Sequence, residues 1–268
     1  MHQEHALAYG MNMPFEFIVT EAVDAVATIR LARAPVNVLH GPMMREISTA
    51  LDWASSSQDI RTVVITGQGM RVFSAGVEIA DHSPEMVEQS IEDFAVLLRK
   101  LQDFSLPTIA ALNGATLGGG FELATACDMM LSVPDAKIGH PEIKLASIAF
   151  FGILMLQRRL PANVITELLA GGEPLLGADA HLLGLVNELV SKENFVVDVA
   201  RFASQFARMS RPVLQLMMKT LRLARGKSLE TGVDEATGLY LSELLPLEDV
   251  TEGLSAHAAK RPPAWKHR

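Results

Sequence analysis

The chain has 268 residues, of which 49% are hydrophobic and 20% charged, a composition typical of globular rather than disordered proteins. Its net charge of −8 disfavours binding to nucleic acid or to an anionic membrane surface. The single cysteine, Cys127, excludes an intrachain disulfide, and the longest apolar run is too short to span a bilayer. We therefore expect a cytoplasmic protein without membrane or nucleic-acid partners.

Residues 1–14 carry no sustained apolar core, which predicts a loose N-terminal extension rather than a signal peptide. After them, short apolar runs typical of strands alternate with segments of helical periodicity, and this alternation predicts an α/β fold. The predicted strands are 15–19, 26–31, 63–66, 108–112, 129–133, 137–139 and 186–190. The predicted helices up to this point are 41–56, 84–104, 121–127, the apolar run that begins at 145 and continues to 160, 162–170 and 178–183.

The rest of the chain is predicted to be helical, at 194–209, 212–225, 229–245 and 247–260. We therefore divide the chain into the extension 1–14, an α/β core 15–200 and a helical region 201–268. The helical region is rich in leucine and methionine, and so large an apolar surface needs a cover. Either the core or a neighbouring subunit supplies that cover.

A glycine-rich stretch, Asn113-Gly-Ala-Thr-Leu-Gly-Gly-Gly-Phe-Glu122, follows the predicted strand 108–112 and opens a helix. The three consecutive glycines remove every Cβ, so a ligand can approach the bare backbone. The first N–H groups of a helix have no intrahelical partner and attract negative charge. An ordinary strand-to-helix turn would explain the stretch alone equally well.

A second stretch, Arg71-Val-Phe-Ser-Ala-Gly-Val-Glu-Ile-Ala80, follows the strand that ends at Thr66. If the two strands are parallel neighbours, both loops reach the same carboxyl edge of the sheet, where α/β proteins usually bind ligands. An N–H just after Gly76 and another from the triple glycine then converge on one oxygen. Two such donors stabilise an enolate or a tetrahedral oxyanion.

Phe73-Ser-Ala-Gly-Val77, taken together with the stretch 113–122, resembles the enoyl-CoA hydratase/isomerase, or crotonase, family. The likeness runs from about residue 15 to the end of the chain. It implies a crotonase-like spiral of ββα units with a C-terminal helical oligomerisation region. It also implies an acyl-CoA thioester as substrate, no cofactor beyond the CoA that the substrate carries, and a homotrimer or a hexamer built as a dimer of trimers.

Carried over by position, the two N–H groups that polarise the thioester carbonyl are those of Val77 and Gly119. The two glutamates of the family's hydratases fall on Glu122 and, twenty residues further on, Glu142. Adding water across a conjugated thioester needs a base for the water and an acid for the α-carbon, and two carboxyl groups can share these duties. Glu142 alone would more often be a surface carboxylate.

The resemblance also implies which residues contact CoA and the acyl group. Pro35-Val-Asn-Val-Leu39 matches a family loop that contacts CoA through its backbone. Phe150 and Phe151 stand where straight-chain hydratases have a glycine-rich run, so we expect a reshaped acyl pocket and leave open how the water is held. The whole predicted substrate-binding set is Pro35, Val36, Ala75, Gly76, Ile79, Gly118, Phe150 and Phe151.

Three further stretches are similar to the branch of the family that hydrates cyclohexa-1,5-diene-1-carbonyl-CoA in the breakdown of aromatic acids. They are 73–82, Tyr240-Leu-Ser-Glu-Leu244 and the ending 260–268. The function implied is hydration of an alicyclic dienoyl-CoA by a carbon–oxygen lyase. A straight-chain enoyl-CoA hydratase, an isomerase or thioester hydrolase, and a non-catalytic RNA-binding protein remain alternatives.

Several polar residues allow two interpretations. His140 either tunes Glu142 or is a hydrogen-bonded structural histidine. Asp81 and His82 either line the CoA channel or end a solvated loop. The basic residues of the C-terminal tail, which meet either CoA phosphates or only solvent, are Lys260, Arg261 and Lys266. No metal-ligand spacing is present, so we predict no metal site.

Overall fold

The computed structural model describes residues 15–268, so the predicted extension 1–14 lies outside the described part of the chain. The strands are β1 (Ile18–Val23), β2 (Val26–Leu31), β3 (Thr62–Gly67), β4 (Val72–Ser74), β5 (Thr108–Leu112), β6 (Ala115–Leu117), β7 (Met129–Ser132), β8 (Lys137–Gly139), β9 (Leu175–Leu176) and β10 (Glu188–Leu189). The helices are α1 (Gly41–Ser56), α2 (Val87–Gln102), α3 (Gly119–Ala126), α4 (Phe150–Leu156), α5 (Ala162–Gly171), α6 (Gly177–Leu182), α7 (Phe195–Ala207), α8 (Arg211–Leu223), α9 (Leu229–Leu239) and α10 (Glu248–Ala258). Two short 3₁₀ helices lie at Ile79–His82 and Glu142–Leu145.

The main sheet has six strands in the order β1-β2-β3-β5-β7-β10. Only β1 is antiparallel to its neighbour, and the pairs from β2 to β10 are all parallel. Every residue of β3 and β5 is buried, because helices cover parallel strands in the middle of such a sheet. The adjacent parallel pairing of β3 with β5 confirms that the loops after these two strands leave the same edge.

A second, smaller sheet lies beyond that edge, in the order β4-β6-β8-β9. Each of β4, β6 and β8 follows a strand of the main sheet, and the first two lead directly towards α2 and α3. Repetition of long strand, short strand and helix produces the predicted spiral of ββα units. The α/β crotonase-like fold is therefore confirmed, and the two sheets meet where the glycine loops cross between them.

The sequence prediction missed β4, β6 and β9, because two- and three-residue strands carry no periodicity. The predicted helix through 145–160 was wrong in its first part. Ala146 adopts a left-handed conformation with φ 55°, which ends the 3₁₀ helix Glu142–Leu145, and α4 begins only at Phe150. The predicted helix 229–245 is α9 followed by a π-helical turn, Tyr240–Leu244.

The predicted division at residue 200 falls inside α7, which packs on β2 and β3 of the core. Val199 and Ala203 of this helix are buried on that face. The helices after α7 begin with α8, whose Arg211 donates to the Ile60 and Ser55 carbonyls of the core, whereas α9 has no buried residue. Within residues 15–268, no helix has the length and apolarity needed to cross a bilayer.

Cys127, directly after α3, is fully buried, and its Sγ contacts the Leu123 carbonyl. Burial, together with the nearby charge of Asp128, raises the pKa of this thiol to about 12. The thiol is therefore protonated and packed in the core, where a cysteine behaves as a small apolar residue.

Candidate active site

The two glycine loops meet at their backbones. Gly76 and Gly118 have φ values of 120° and 53°, a region of backbone conformation that favours glycine. A Cβ placed on Gly76 would lie 3.7 Å from the Gly119 nitrogen, and one placed on Gly119 would lie 3.4 Å from the Val77 nitrogen. The two predicted N–H donors, from Val77 and Gly119, therefore lie side by side.

Neither of these N–H groups, of Val77 or of Gly119, donates to a protein acceptor within residues 15–268. Gly119 is the first residue of α3, so its N–H has no intrahelical partner. Around Val77, the Leu39 N–H donates to the Gly76 carbonyl at 2.8 Å, and the Glu78 N–H donates to the Leu39 carbonyl at 2.8 Å. These bonds fix the loop and leave the Val77 N–H available to a ligand.

The segment 35–39 is fastened to the first glycine loop. The Asn37 amide donates to the Phe73 carbonyl at 3.0 Å, and the Ser74 hydroxyl donates to the Asn37 carbonyl at 2.7 Å. The Ala75 N–H donates to the Val36 carbonyl at 3.0 Å. Hence the structure brings two separate parts of the predicted CoA-binding set together.

Three members of that set lie on the surface beside this junction. Pro35 and Ala75 are exposed, and Ile79 is 73% exposed on the 3₁₀ helix that follows the loop. An exposed isoleucine next to paired backbone segments offers an apolar contact for a long flexible ligand. The contacts of these residues with CoA stay a prediction.

Glu122, in the first turns of α3, is only 5% exposed. Its Oε1 accepts a hydrogen bond of 2.8 Å from the Gly152 N–H at the start of α4. Burial raises the pKa of Glu122, and the charge of Glu142 raises it further, while the Gly152 N–H and the His140 ring oppose the rise. Glu122 is thus a carboxyl group held in an apolar environment and coupled electrostatically to the second predicted glutamate.

Glu142 opens the 3₁₀ helix Glu142–Leu145 and lies against the second glycine loop. A Cβ on Gly118 would lie 3.2 Å from its Oε1, so the glycine allows the carboxylate to approach the backbone. The same Oε1 lies 3.3 Å from His140 Nδ1. Its Oε2 is buried without a hydrogen-bond partner among the described residues, and a buried acceptor of this kind requires a water or a ligand.

Phe150 and Phe151 form the first turn of α4, beside Glu122. Their ring centroids are 4.2 Å apart, and Phe151 makes an edge-to-face contact of 5.8 Å with Phe94 of α2. Phe94 in turn lies close to the second glycine loop, because its Cε1 would lie 3.5 Å from a Cβ placed on Gly119. A row of three aromatic rings, Phe94, Phe151 and Phe150, therefore leads away from the two free N–H groups.

Sequence reasoning missed Phe94 and Gly152. Phe94 was assigned only to the core face of a helix, and nothing in its spacing pointed towards α3. Gly152 lay inside a run that we predicted to be continuous helix. The signal that remained was the glycine itself, since a lone glycine in an apolar helix often marks close packing.

The basic tail turns back on α10. Arg261 pairs with Glu252 at 2.6 Å and Lys266 with Glu248 at 3.0 Å, so acidic partners within the chain already neutralise both cations. Lys260 is exposed, and Asp81 lies on the short 3₁₀ helix at the loop end. The side chain of His82 lies outside the described part of the structure.

Comparison with known proteins agrees with this arrangement. The model of the enoyl-CoA hydratase/isomerase family matches residues 21–268. A cyclohexa-1,5-dienecarbonyl-CoA hydratase of Thauera aromatica is 30% identical over 92% of this chain and 95% of its own length. A probable enoyl-CoA hydratase of Bacillus subtilis (strain 168) is 34% identical over 92% of this chain and 98% of its own.

Solved structures show the same fold. An enoyl-CoA hydratase structure from Geobacillus kaustophilus HTA426 superposes with a TM-score of 0.87 at 32% identity, covering 95% of this chain and 99% of that one. An enoyl-CoA hydratase from Bacillus anthracis superposes with a TM-score of 0.90 at 26% identity, covering 94% of this chain and all of that one. Because the family model spans nearly the whole chain and the relatives match it end to end, the chain belongs to the enoyl-CoA hydratase/isomerase family, as an enzyme of the carbon–oxygen lyase type.

Proposed function

We propose that this enzyme adds water across a conjugated double bond of an alicyclic dienoyl-CoA thioester. One observation carries the proposal. Two unpartnered backbone N–H groups, of Val77 and Gly119, lie beside two carboxyl groups, of Glu122 and Glu142, that are electrostatically coupled. The N–H pair suits a thioester oxygen, and the carboxyl pair suits a water. Such a site needs no cofactor beyond the CoA of the substrate.

The residues divide the reaction between them. The two N–H groups donate to the thioester oxygen and stabilise the negative charge that develops there as an enolate forms. One carboxylate takes a proton from the water while its hydroxyl adds to the β-carbon. The other carboxyl group gives a proton to the α-carbon, so that the substrate gains one H₂O and the pair is restored after proton exchange.

The raised pKa of Glu122 supports a division of these duties. A carboxyl group whose pKa is raised by burial is better suited to giving a proton than an exposed one, as in other buried catalytic glutamates. Glu142 has one buried oxygen free for a water and the other beside His140. We infer that both carboxyl groups hold the same water. The position of the water then does not depend on the glycine-rich run that straight-chain hydratases have in this region.

The aromatic row supports a ring-shaped acyl group. Phe94, Phe151 and Phe150 present flat faces and edges in succession from the second glycine loop, and aromatic rings pack well against flat unsaturated rings. The relative from Thauera aromatica is named for such a substrate, a cyclohexadiene thioester. The Bacillus subtilis relative, of similar identity, keeps the straight-chain enoyl-CoA as the second candidate.

A direct comparison of substrates tests this choice. Purified enzyme is given crotonyl-CoA or cyclohexa-1,5-diene-1-carbonyl-CoA, with absorbance and mass detection. We expect a higher kcat/KM for the diene and a product heavier by one water. Preference for crotonyl-CoA would keep the reaction and replace the substrate, whereas a product of unchanged mass indicates an isomerase and free CoA a hydrolase.

The aromatic row predicts a selective loss. Phe151→Leu is expected to lower kcat/KM for the diene about 3- to 10-fold, the equivalent of an aromatic contact worth about 0.5–1.5 kcal/mol, and to change crotonyl-CoA hydration little. Phe202→Leu is the matched control, because Phe202 forms a similar pair with Phe206 on α7, away from the site. Equal losses on both substrates would contradict a role for the ring in selectivity.

The proposal includes a homotrimer or hexamer. The large apolar side chains that stay exposed in α8 and the segments after it are Met217, Leu221, Leu223, Leu229, Val233, Tyr240, Leu241, Leu245 and Leu254. Within α9 no residue is buried, although an amphipathic helix gains most of its stability from packing. A second copy of the chain is the cover that we infer.

Light scattering on the purified protein is expected to give three or six times the chain mass. Leu229→Glu should shift that mass towards the monomer, because the substitution places a charge in the proposed contact. Leu182→Glu is the matched control, since both leucines are 84% exposed and Leu182 lies on α6. A stable monomer for the unmodified chain at micromolar concentration would rule out the assembly.

The RNA-binding alternative has little physical support. A chain with net charge −8 repels a polyanion, and the carboxyl pair would add to that repulsion. The cytoplasmic location remains a prediction from the sequence.

A further inference from the structure

His140 lies beside Glu142 and against Gly152, whose N–H donates to Glu122. It follows β8, is 1% exposed, and packs its ring against Phe121 with a centroid distance of 4.7 Å. A buried polar ring requires hydrogen-bond partners. The partner that the structure offers is a carboxylate, since Nδ1 lies 3.3 Å from Glu142 Oε1.

The environment of the other ring nitrogen of His140, Nε2, indicates which tautomer is present. His140 Nε2 is buried and has no hydrogen-bond partner among the described residues. A proton there would be a buried donor without an acceptor, and Nδ1 would then face the Glu142 carboxylate as a second acceptor, so neither ring nitrogen would be paired. The proton therefore resides on Nδ1, and Nδ1–H donates to Glu142.

The His140 ring also contacts Gly152, whose backbone N–H donates to Glu122. A Cβ placed on Gly152 would lie 2.5 Å from His140 Nε2 and 2.7 Å from its Cε1, so ring and backbone are in direct contact. The N–H of Gly152 is the group that donates to Glu122 Oε1 at 2.8 Å. One imidazole thus touches Glu142 through a hydrogen bond and supports the donor of Glu122 by packing.

We propose that His140 is a positioning residue that sets the orientation of both carboxyl groups towards the shared water. This role rests on the proposed hydration. Its Nδ1–H fixes which oxygen of Glu142 stays free, namely the buried Oε2. Its ring edge fixes the start of α4, and thereby the Gly152 N–H. The requirement for glycine at position 152 follows, because any side chain there would displace the ring.

Substitutions at His140 test its hydrogen bond to Glu142 separately from its packing. His140→Leu keeps the apolar contact with Phe121 but removes the donor, and we expect kcat to fall about 10- to 100-fold, the worth of a hydrogen bond to a charged group. KM should stay within about twofold, because CoA binds elsewhere. His140→Gln retains an N–H donor and should recover most of the lost kcat.

A double-mutant cycle shows whether His140 acts through Glu142. In a Glu142→Gln background, His140→Leu should change the residual kcat by less than about threefold, since the carboxylate that Nδ1–H orients is already absent and leucine keeps an apolar contact beside Gly152. His181→Gln is the control, because His181, on α6, pairs its Nδ1 with the Val186 carbonyl at 2.9 Å rather than with either carboxyl group of the site. An undiminished loss in the Glu142→Gln background, or a loss in KM alone, would overturn the proposal.

Imidazole nitrogen NMR of the unmodified full chain provides a readout that does not depend on the substrate. We expect a protonated Nδ1 and an unprotonated Nε2 for His140, and a clear change of the Nδ1 signal in Glu142→Gln. A proton on Nε2 would refute the proposal even if hydration is confirmed. Conversely, an enzyme that hydrates neither thioester loses the proposed function, while the nitrogen signals still decide whether His140 holds Glu142.

Discussion

Replacing either carboxyl group of the site by its amide is expected to lower kcat for hydration about 10²- to 10⁴-fold. In Glu122→Gln and Glu142→Gln the shape of each side chain is kept, and only proton exchange with the water is lost. The measurement is the rate at which the heavier, hydrated thioester accumulates. Glu167→Gln, on the exposed face of α5, is the control and should keep full activity. Folded amide variants with unchanged kcat would show that the pair is not catalytic.

Glu122→Gln should also change stability, in the opposite direction to activity. Burial raises the pKa of Glu122, so the folded state holds this proton more tightly than the unfolded state. Below the pKa that Glu122 has in the unfolded protein, its carboxyl group is protonated in both the folded and the unfolded state. Its ionisation then does not change the free energy of unfolding. As the pH rises from there through the folded pKa, the wild type loses free energy of unfolding and Glu122→Gln does not. The Tm difference between them should therefore grow as the pH rises above the unfolded pKa and level off once the folded pKa is passed.

Gly119→Ala is expected to lower kcat about 10²- to 10³-fold, the cost of losing one oxyanion donor. The added methyl group would collide with Val77 Cγ2 and lie 3.4 Å from the Val77 nitrogen. The two backbone segments must then move apart, and their N–H groups no longer converge on one oxygen. KM and kcat for the diene thioester, measured on the folded variant, test this expectation.

The collision itself can be relieved. Val77→Ala removes Cγ2 but keeps the N–H, so the double variant Gly119→Ala with Val77→Ala should recover part of the lost kcat. Gly171→Ala is the control, because a Cβ at Gly171 meets nothing within 4 Å. If the double variant were as inactive as Gly119→Ala, the loss would have a cause other than separation of the two donors.

Much of the fold was predictable because its central elements carry strong local signals. The predicted bounds of β2, α1, β5 and β8 agree with the structure. Pro42 marks the first turn of α1, and the mainly apolar run of β5 is typical of a buried strand. The second sheet was not predictable in this way, since its strands are defined by pairing with one another across long stretches of sequence.

The residues of the candidate site also differ in whether a local sequence pattern or only tertiary packing identifies them. Val77, Gly119, Glu122 and Glu142 were identified because each lies in a short stretch that resembles a motif of the family. Their catalytic roles stay predictions, although the structure brings them together. Phe94 and Gly152 were not found, because each acquires its place only when α2 or α4 packs against α3. Tertiary contact, rather than local pattern, creates that part of the site.

The burial of the chain's single thiol has a practical consequence. A fully buried cysteine with a pKa near 12 offers no thiolate to a maleimide dye, so the native sequence already provides an unreactive background for labelling. A cysteine introduced at Gly232 of α9, where a side chain meets nothing within 4 Å, would then carry the only dye. Energy transfer between copies labelled in this way would report how the α9 helices approach one another as subunits associate.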